Sequence, residues 1–427
     1  MRRRGLLVVA LCLFGIGLCA GQASLSLTEC YALARANYPL IKRMDLIGRS
    51  ESYSLDNAAK AWLPQVNVSA QASYQSDVTK LPFDQEKISA LIPGFEIPVL
   101  DKDQYRAVAE VNQMIWDGGG IRATKAVVRA EAEVSKSQLE NDLYLLNNRV
   151  NQLYFGCLLQ DELLEQNRLL LADLEVNLAR VEAMERNGVA NRSDWESLRV
   201  AQLEARQQRV GIEASRMAFR RMLAELIGLS ADSLRLETPA DPGLLSMTVA
   251  RPELRYFEAL ENLSQTHERQ LTAGWMPRVG AFVQGGYGRP GLDMLDVDFA
   301  AYYVAGIRLT WNLGKLYTLA NDRRKLATER REIEARRETF LLNTRLDLLN
   351  RQEEIRRLSE QLRDDEEIIE LRTSVKEAAE AKLQNGVISV ADLIREINAV
   401  DQARQEEAIR RLRRLMAIYD YIYVRGE

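Results

Sequence analysis

Four short stretches of the chain alternate between apolar and polar residues, the pattern of a β-strand whose two faces meet different surroundings. In the first, apolar residues from Val66 to Tyr74 alternate with asparagine, serine and glutamine. The apolar residues are mostly small, and tyrosine or tryptophan lies near the ends of the stretches. These features favour transmembrane barrel strands of about 9–11 residues, with an aromatic girdle and a polar inner face, over a sheet that covers a soluble core. The four stretches are 66–74, 105–112, 279–287 and 303–311.

Between the strands, the apolar residues follow the spacing of α-helices. Residues 27–61 carry apolar side chains at intervals of three and four, and Pro64 ends this predicted helix. The stretch from Gly118 to Arg186 contains no proline, and its apolar residues from Leu139 to Cys157 keep the 4-3 spacing of a coiled coil. Residues 315–384 form a second stretch of this kind. A shorter helix returns after each one, so two antiparallel helical hairpins are predicted; the returning helices are Ser193–Ile227 and Val390–Val424.

The whole pattern occurs twice, which indicates a duplicated unit. Three landmarks of the first half return in the same order in the second half. They are Trp62-Leu63-Pro64-Gln65-Val66 with Trp275-Met276-Pro277-Arg278-Val279, Trp116-Asp117-Gly118-Gly119 with Trp311-Asn312-Leu313-Gly314, and Asn187-Gly188-Val189 with Asn385-Gly386-Val387.

The duplication predicts how the chain is divided. Each unit contains a helix, two strands and a long helical hairpin, and a segment rich in proline, glycine and acidic residues separates the two units. The predicted segments are a signal peptide at 1–23, a first repeat at 24–236, a linker at 237–249 and a second repeat at 250–427.

The first residues have the composition of an export signal. Three arginines precede an apolar run of 13 residues, Leu6–Leu18, which is too short to span a bilayer comfortably. Cleavage is expected after Ala20 or Ala23; a membrane anchor is the alternative. No later apolar stretch reaches the roughly 18 residues of a transmembrane helix, so membrane contact would have to involve strands. The remaining cysteines, Cys30 and Cys157, are interpreted as buried apolar residues and not as a disulfide.

Charge and composition exclude several kinds of function. A formal net charge of −4 argues against phosphate-driven binding of nucleic acid. A single histidine, His267, in a polar helical segment leaves no basis for a zinc site or histidine catalysis. Asp117-Gly118-Gly119-Gly120 lacks the Lys-Ser/Thr of a phosphate-binding loop and is predicted to be a strand-to-helix transition. We therefore expect no enzyme activity, no cofactor and no metal. The residues assigned to the two transitions are Trp116, Gly118, Gly119, Trp311 and Gly314.

Four transmembrane strands cannot close a barrel, because the smallest barrels have eight strands and leave no channel. Closure requires several chains. Three chains with four strands and four hairpin helices each would form a 12-stranded barrel above a tube of 12 helices, which is a conduit.

In these ordered motifs the sequence resembles the TolC-like outer membrane efflux and secretion channels. The resemblance covers essentially the whole chain after the signal. It also includes the opening Leu27-Thr28-Glu29-Cys30-Tyr31-Ala32-Leu33-Ala34 and the mid-chain Arg251-Pro252-Glu253-Leu254. It implies a mainly α fold with a small β part, trimerising into an outer membrane β-barrel continued by a coiled-coil α-barrel in the periplasm. It also implies that the partners are a periplasmic adaptor (membrane fusion protein), an inner-membrane pump and outer membrane lipid.

The resemblance assigns a role to the two hairpin tips. In the family, a tip glycine is followed six residues later by an aspartate, and these regions contact the adaptor and form the periplasmic mouth. Arg395 stands where the second tip often carries a further acid, so the resemblance does not extend to an acidic ring at the mouth. The matching tip residues are Asn187, Gly188, Val189, Asp194, Asn385, Gly386, Val387 and Asp392.

The predicted function is an exit duct for a tripartite efflux pump or a type I secretion system. The alternatives are a periplasmic adaptor, which would carry one hairpin between β-rich domains, and an exported structural coiled coil, which the alternating strands disfavour. The cargo is not indicated, because Arg106, Glu110 and Arg308 on the polar strand faces are mixed in sign. The sequence does not distinguish drugs, metals and proteins as cargo.

Overall fold

The computed structural model describes residues 24–79, 100–243, 246–293 and 296–426. These residues form seven α-helices and four β-strands, in the order that the periodicity predicts. In chain order the elements are α1 (Leu27–Asn37), α2 (Arg43–Lys60), β1 (Gln65–Tyr74), β2 (Asp103–Trp116), α3 (Gly120–Arg186), α4 (Arg192–Ile227), α5 (Pro252–Gly274), β3 (Arg278–Arg289), β4 (Ala300–Thr310), α6 (Leu316–Gln384) and α7 (Val390–Arg425).

The first predicted helix, 27–61, is broken where the sequence analysis expected it to continue. Tyr38 has an extended backbone, with φ −68° and ψ 125°, and a 3₁₀ turn follows at Pro39–Lys42 before α2 begins. The physical reason is Pro39, which has no N–H group and disfavours the helical conformation in the residue before it.

The chain packs into two compact units, and each takes residues from both halves of the sequence. The first unit contains the described residues of 24–41, 143–250 and 344–426, and the second contains those of 42–142 and 251–343. The packing units therefore cut across the predicted repeats at 24–236 and 250–427, which remain a prediction about the origin of the sequence.

The first unit is helical and has a well-packed core. The coiled-coil positions of α3 that fall in this unit, from Leu143 to Cys157, are buried. Cys30 and Cys157 are free and lie in the same apolar cluster, and burial raises the pKa of each thiol, to about 11 and about 12 respectively. In the same cluster the hydroxyl of Tyr154 donates to the carbonyl oxygens of Leu25 and Glu237, at 2.8 and 2.6 Å. The start of the described chain is thereby fixed to the start of the predicted linker.

The second unit contains a four-stranded antiparallel sheet with the order β1-β2-β3-β4. β2 and β3 are direct neighbours although two helices of a hairpin and α5 separate them in sequence. The register places apolar residues opposite one another in all four strands: Val66 pairs with Val111, Val111 with Val283, and Val283 with Ala305. The sheet therefore has one continuous apolar face.

No helix among the described residues is both long enough and apolar enough to cross a membrane.

Candidate functional site

The apolar face of the sheet is exposed. Val68 is 79% exposed, and Tyr74, Tyr303 and Ile307 are comparably uncovered. Burying apolar area of this kind contributes about 25 cal/mol per Å², so a face made of such residues favours contact with an apolar phase. The alternation that predicted strands thus produces a surface suited to lipid.

The opposite face of the sheet is polar. Its central row contains Asn67, Glu110 and Gln284 in register. The guanidinium of Arg308 reaches Glu110 at 3.3 Å and lies 4.4 Å from the ring centroid of Phe282. A face with amide, carboxylate and guanidinium groups can line an aqueous passage.

Aromatic residues lie at both ends of the strands, as a membrane-embedded sheet requires. At the end joined to the helices, one tryptophan lies at or beside each strand, and the indole N–H of Trp311 donates to the carbonyl oxygen of Trp275 at 3.0 Å. At the loop end, Arg289 pairs with Asp101 and Asp103 and lies over the ring of Phe299. The four tryptophans are Trp62, Trp116, Trp275 and Trp311.

The transition from β2 to α3 is built around a residue that the sequence analysis did not assign to the site. Asp117 is buried, and its carboxylate accepts hydrogen bonds from the backbone N–H groups of Gly119, just before α3, and Ile121, in its first turn. Gly118 has φ +68°, and a Cβ there would lie 2.4 Å from the Cβ of Met276, so no side chain fits. The signal for Asp117 is its position directly before the helix, where an acid satisfies free N–H groups.

The other predicted transition residues lie where a strand changes into a helix. Trp116 is the last residue of β2, and Gly119 has φ +85° just before α3 begins. After β4, Trp311 leads into a 3₁₀ turn at Leu313–Lys315, which contains Gly314. This second transition has no glycine with positive φ among its described residues, so the two junctions differ in backbone geometry.

The first hairpin tip follows the end of α3 at Arg186. Gly188 has φ +74°, and the N–H groups of Asn187, Gly188 and Val189 donate to carbonyl oxygens of the last turns of α3, which is a glycine-ended helix C-terminus. The return begins at Asn191, whose backbone N–H donates to the Asp194 carboxylate at 3.0 Å in a capping box. Val189 is 61% exposed.

The second tip repeats this arrangement after α6. Gly386 has φ +69°, and Asn385 and Val387 donate to the last turns of the helix. Ser389 and Asp392 form a capping box, with backbone N–H donors at 3.2 Å to Ser389 Oγ and at 3.1 Å to Asp392 Oδ2. Hydrogen bonds from the Ser389 side chain and backbone hold the pKa of the Asp392 carboxyl below its ordinary value.

The cap residues Asn191 and Ser389 were not predicted, although each begins a Ser/Asn-x-x-Asp capping pattern that could have identified it. Arg395, which departs from the family's acidic pattern, pairs with Asp392 at 2.9 Å. The second tip therefore carries a paired charge in place of a second free acid.

The two tips rest on one apolar cluster. Val181 of α3, Leu198 of α4, Leu383 of α6 and Leu393 of α7 are buried together in it. Both helix ends are anchored in this cluster. Val189 and Val387, which is 69% exposed, therefore lie on tips whose helices are well packed. Polar contacts also link α3 and α6: Lys376 lies 2.9 Å from Asp173.

No group of histidine, cysteine, aspartate and glutamate residues in the described ranges is arranged to hold a metal ion.

Comparison with known proteins finds similarity to outer membrane proteins. Residues 30–229 match the sequence family described as Outer membrane efflux protein. No curated protein matches the sequence.

Several solved structures share the fold. The outer membrane protein VceC of Vibrio cholerae is 14% identical, with a TM-score of 0.66 over 94% of this chain and 96% of VceC. The CmeC outer membrane channel of Campylobacter jejuni is 13% identical, with a TM-score of 0.63 over 94% of this chain and 85% of CmeC. The MtrE outer membrane channel of Neisseria gonorrhoeae, in its open state, is 14% identical, with a TM-score of 0.61 over 94% of this chain and 89% of MtrE. At these identities the likeness is one of fold.

The family match covers most of the first predicted repeat, and the shared fold extends over nearly the whole chain. Both agree with the predicted mainly helical fold with a small sheet, and neither supports the alternatives of a periplasmic adaptor or a structural coiled coil. Residues 30–229 are therefore similar in sequence to outer membrane efflux proteins, and nearly the whole chain shares the fold of outer membrane channels.

Proposed function

We propose that three copies of this chain assemble into an exit duct that carries cargo from an inner-membrane pump, or from a type I secretion system, to the cell exterior. The observation that carries the proposal is the sheet, which has an exposed apolar face and a polar face over four in-register strands. Such a sheet fits a barrel wall between lipid and water, yet four strands are too few to close one.

Assembly of three chains completes the wall. Twelve strands form a barrel wide enough for an aqueous passage, and the helices of three chains continue it. Apolar side chains on α6 support contacts between copies, since Leu346, Leu349 and Leu371 are exposed in the isolated chain. Packing against neighbouring helices would cover them and supply the free energy of association.

The hairpin tips are the proposed docking surface for a periplasmic adaptor. They lie at the far ends of α3 and α6 from the strands along the chain, and they carry exposed valines at equivalent positions. Val189 and Val387 make no capping interaction through their side chains, so their exposure has no local structural purpose. An apolar residue held on a packed base suits contact with a partner's helical surface.

The test replaces these two valines with glutamate. Val189→Glu with Val387→Glu should leave trimers in the outer membrane at normal levels and abolish efflux of a fluorescent pump substrate. The two added charges per chain would disfavour an apolar contact with the adaptor but leave the helix caps intact. The matched control is Val189→Thr with Val387→Thr, which keeps the shape without a charge and should retain most of the transport. Normal efflux by the glutamate variant at normal trimer levels would refute docking through the tips.

A further inference from the structure

Two aromatic side chains on the polar face of the sheet lie over a glycine of the neighbouring strand. A Cβ on Gly286 would lie 2.3 Å from Cζ and 2.5 Å from the hydroxyl of Tyr302. A Cβ on Gly306 would lie 3.1 Å from Cε1 of Phe282. The Tyr302 ring therefore occupies the space that a Cβ on Gly286 would take, and the Phe282 ring lies close against Gly306.

The register shows that these are matched pairs. Gly286 is the direct cross-strand partner of Tyr302, and Phe282 is the direct partner of Gly306, with the roles of β3 and β4 exchanged. Each large ring is thus opposite a glycine, the residue that leaves the most room for a ring to lie against the backbone. In sheets, an aromatic ring laid over a glycine also covers backbone that the glycine leaves bare.

Further contacts hold one of the rings in place. The guanidinium of Arg308 lies 4.4 Å from the centroid of Phe282, close enough for a cation–π interaction, and is itself held by Glu110 at 3.3 Å. The Phe282 ring therefore lies between the backbone at Gly306 and the ion pair of Arg308 with Glu110.

The apolar face offers an internal comparison. Gly285 is adjacent to Gly286 but points to that other face, and a Cβ there would meet nothing within 4 Å. A glycine in β3 thus does not by itself imply a ring above it, and the paired arrangement of ring and glycine is found here on the polar face.

We propose that Gly286 and Gly306 set the free bore of the barrel by allowing Tyr302 and Phe282 to lie against its wall, and so set the largest cargo that can pass. The inference rests on the proposed function, in which the polar face lines the lumen. Pore selectivity depends on the diameter left by inward-facing side chains, and lumen substitutions tune it. A side chain at Gly286 would push the Tyr302 ring away from the barrel wall. This would occur once in each chain of the barrel.

The test measures the bore with size-graded maleimide–polyethylene glycol reagents applied to intact cells. The target is Thr310→Cys, an exposed position on the polar face at the helix end of β4, beyond Gly286 and Tyr302 for a reagent entering at the loop end. The native thiols of Cys30 and Cys157 are buried and give little background. Into this parent are placed Gly286→Val, the control Gly285→Val, and the double change Gly286→Val with Tyr302→Ala.

The parent should be labelled by reagents up to a limiting size. Gly286→Val should lose labelling by the largest reagents that the parent admits and keep labelling by the smallest one, which also shows that the variant is inserted. Gly285→Val should match the parent, and removing the displaced ring in the double variant should restore the parent's limit. If Gly286→Val does not insert, Gly286→Ala replaces it, because the collision is already made by Cβ.

The inference would be overturned if inserted Gly286→Val or Gly286→Ala had the same size limit as the parent. It would also be overturned if the double variant had a size limit no larger than that of Gly286→Val. Neither result would contradict the proposed duct. A parent that even the smallest impermeant reagent does not label would overturn the duct itself, and the inference with it.

Discussion

Adjacent residues of β1 provide a sharp test of the lipid-facing surface. Val68 and Ser69 are neighbours whose side chains lie on opposite faces of the sheet, and both lie in the middle of the ten-residue strand Gln65–Tyr74. The perturbation is arginine at either position. Val68→Arg would place a charge on the apolar face, and Ser69→Arg would place the same charge on the polar face, one residue away.

The expected effects differ strongly. An arginine on the lipid face near the middle of a barrel strand costs about 2–4 kcal/mol, and each trimer would contain three. A substitution on a water-lined face normally changes stability by about 0.5 kcal/mol or less. Val68 is exposed in the isolated chain, so a sheet that met only water would tolerate both arginines equally well.

The assay is the amount of trimer in the outer membrane, followed by the thermal unfolding of detergent-extracted trimers. Val68→Arg should give markedly less inserted trimer and a lower unfolding temperature, whereas Ser69→Arg should resemble the unaltered protein. Equal trimer levels and equal unfolding temperatures for the two variants would refute the assignment of the apolar face to lipid.

Three further changes test the helical unit. Gly156→Ala should lower the free energy of unfolding by about 1–3 kcal/mol, because the new Cβ would lie 2.6 Å from Cε1 of Phe219. Gly211→Ala is the control: its Cβ would meet nothing within 4 Å, so it should not destabilise the protein. Lys376→Ala should lower the unfolding temperature more than Lys382→Ala, since only Lys376 is buried against Asp173, and equal shifts would contradict this. The pKa of Asp392 is lowered in the folded tip, so its capping contribution is present at neutral pH and is lost as the pH falls below the carboxyl's ordinary value of 3.8. Hydrogen exchange at the start of α7, corrected for intrinsic rates, should therefore rise on acidification, and Asp392→Asn should remove that dependence.

The sequence predicts much of this architecture because its strongest signals are local. Alternation from Val66 to Tyr74 requires only that one face of a strand differ from the other, and β1 covers Gln65–Tyr74. The glycines of Asn187-Gly188 and Asn385-Gly386 stand where long helices end, because positive φ is cheap only for glycine. Both signals can be read without knowing what lies nearby in space.

Local signals also explain the errors. Apolar spacing continues through Pro39, so periodicity alone predicted one helix where the backbone breaks. Asp117 looked like part of a glycine turn because its role depends on which N–H groups its carboxylate meets. The matching of Tyr302 with Gly286 depends on the register of β3 against β4, which no single stretch of sequence contains.

The number of chains in the membrane-inserted particle tests the central claim most directly, because four strands per chain form a duct only if several chains share one barrel. Protein extracted from outer membranes in detergent should have the mass of three chains by mass photometry, after correction for bound detergent. A stable single chain that stays soluble without detergent would contradict the account.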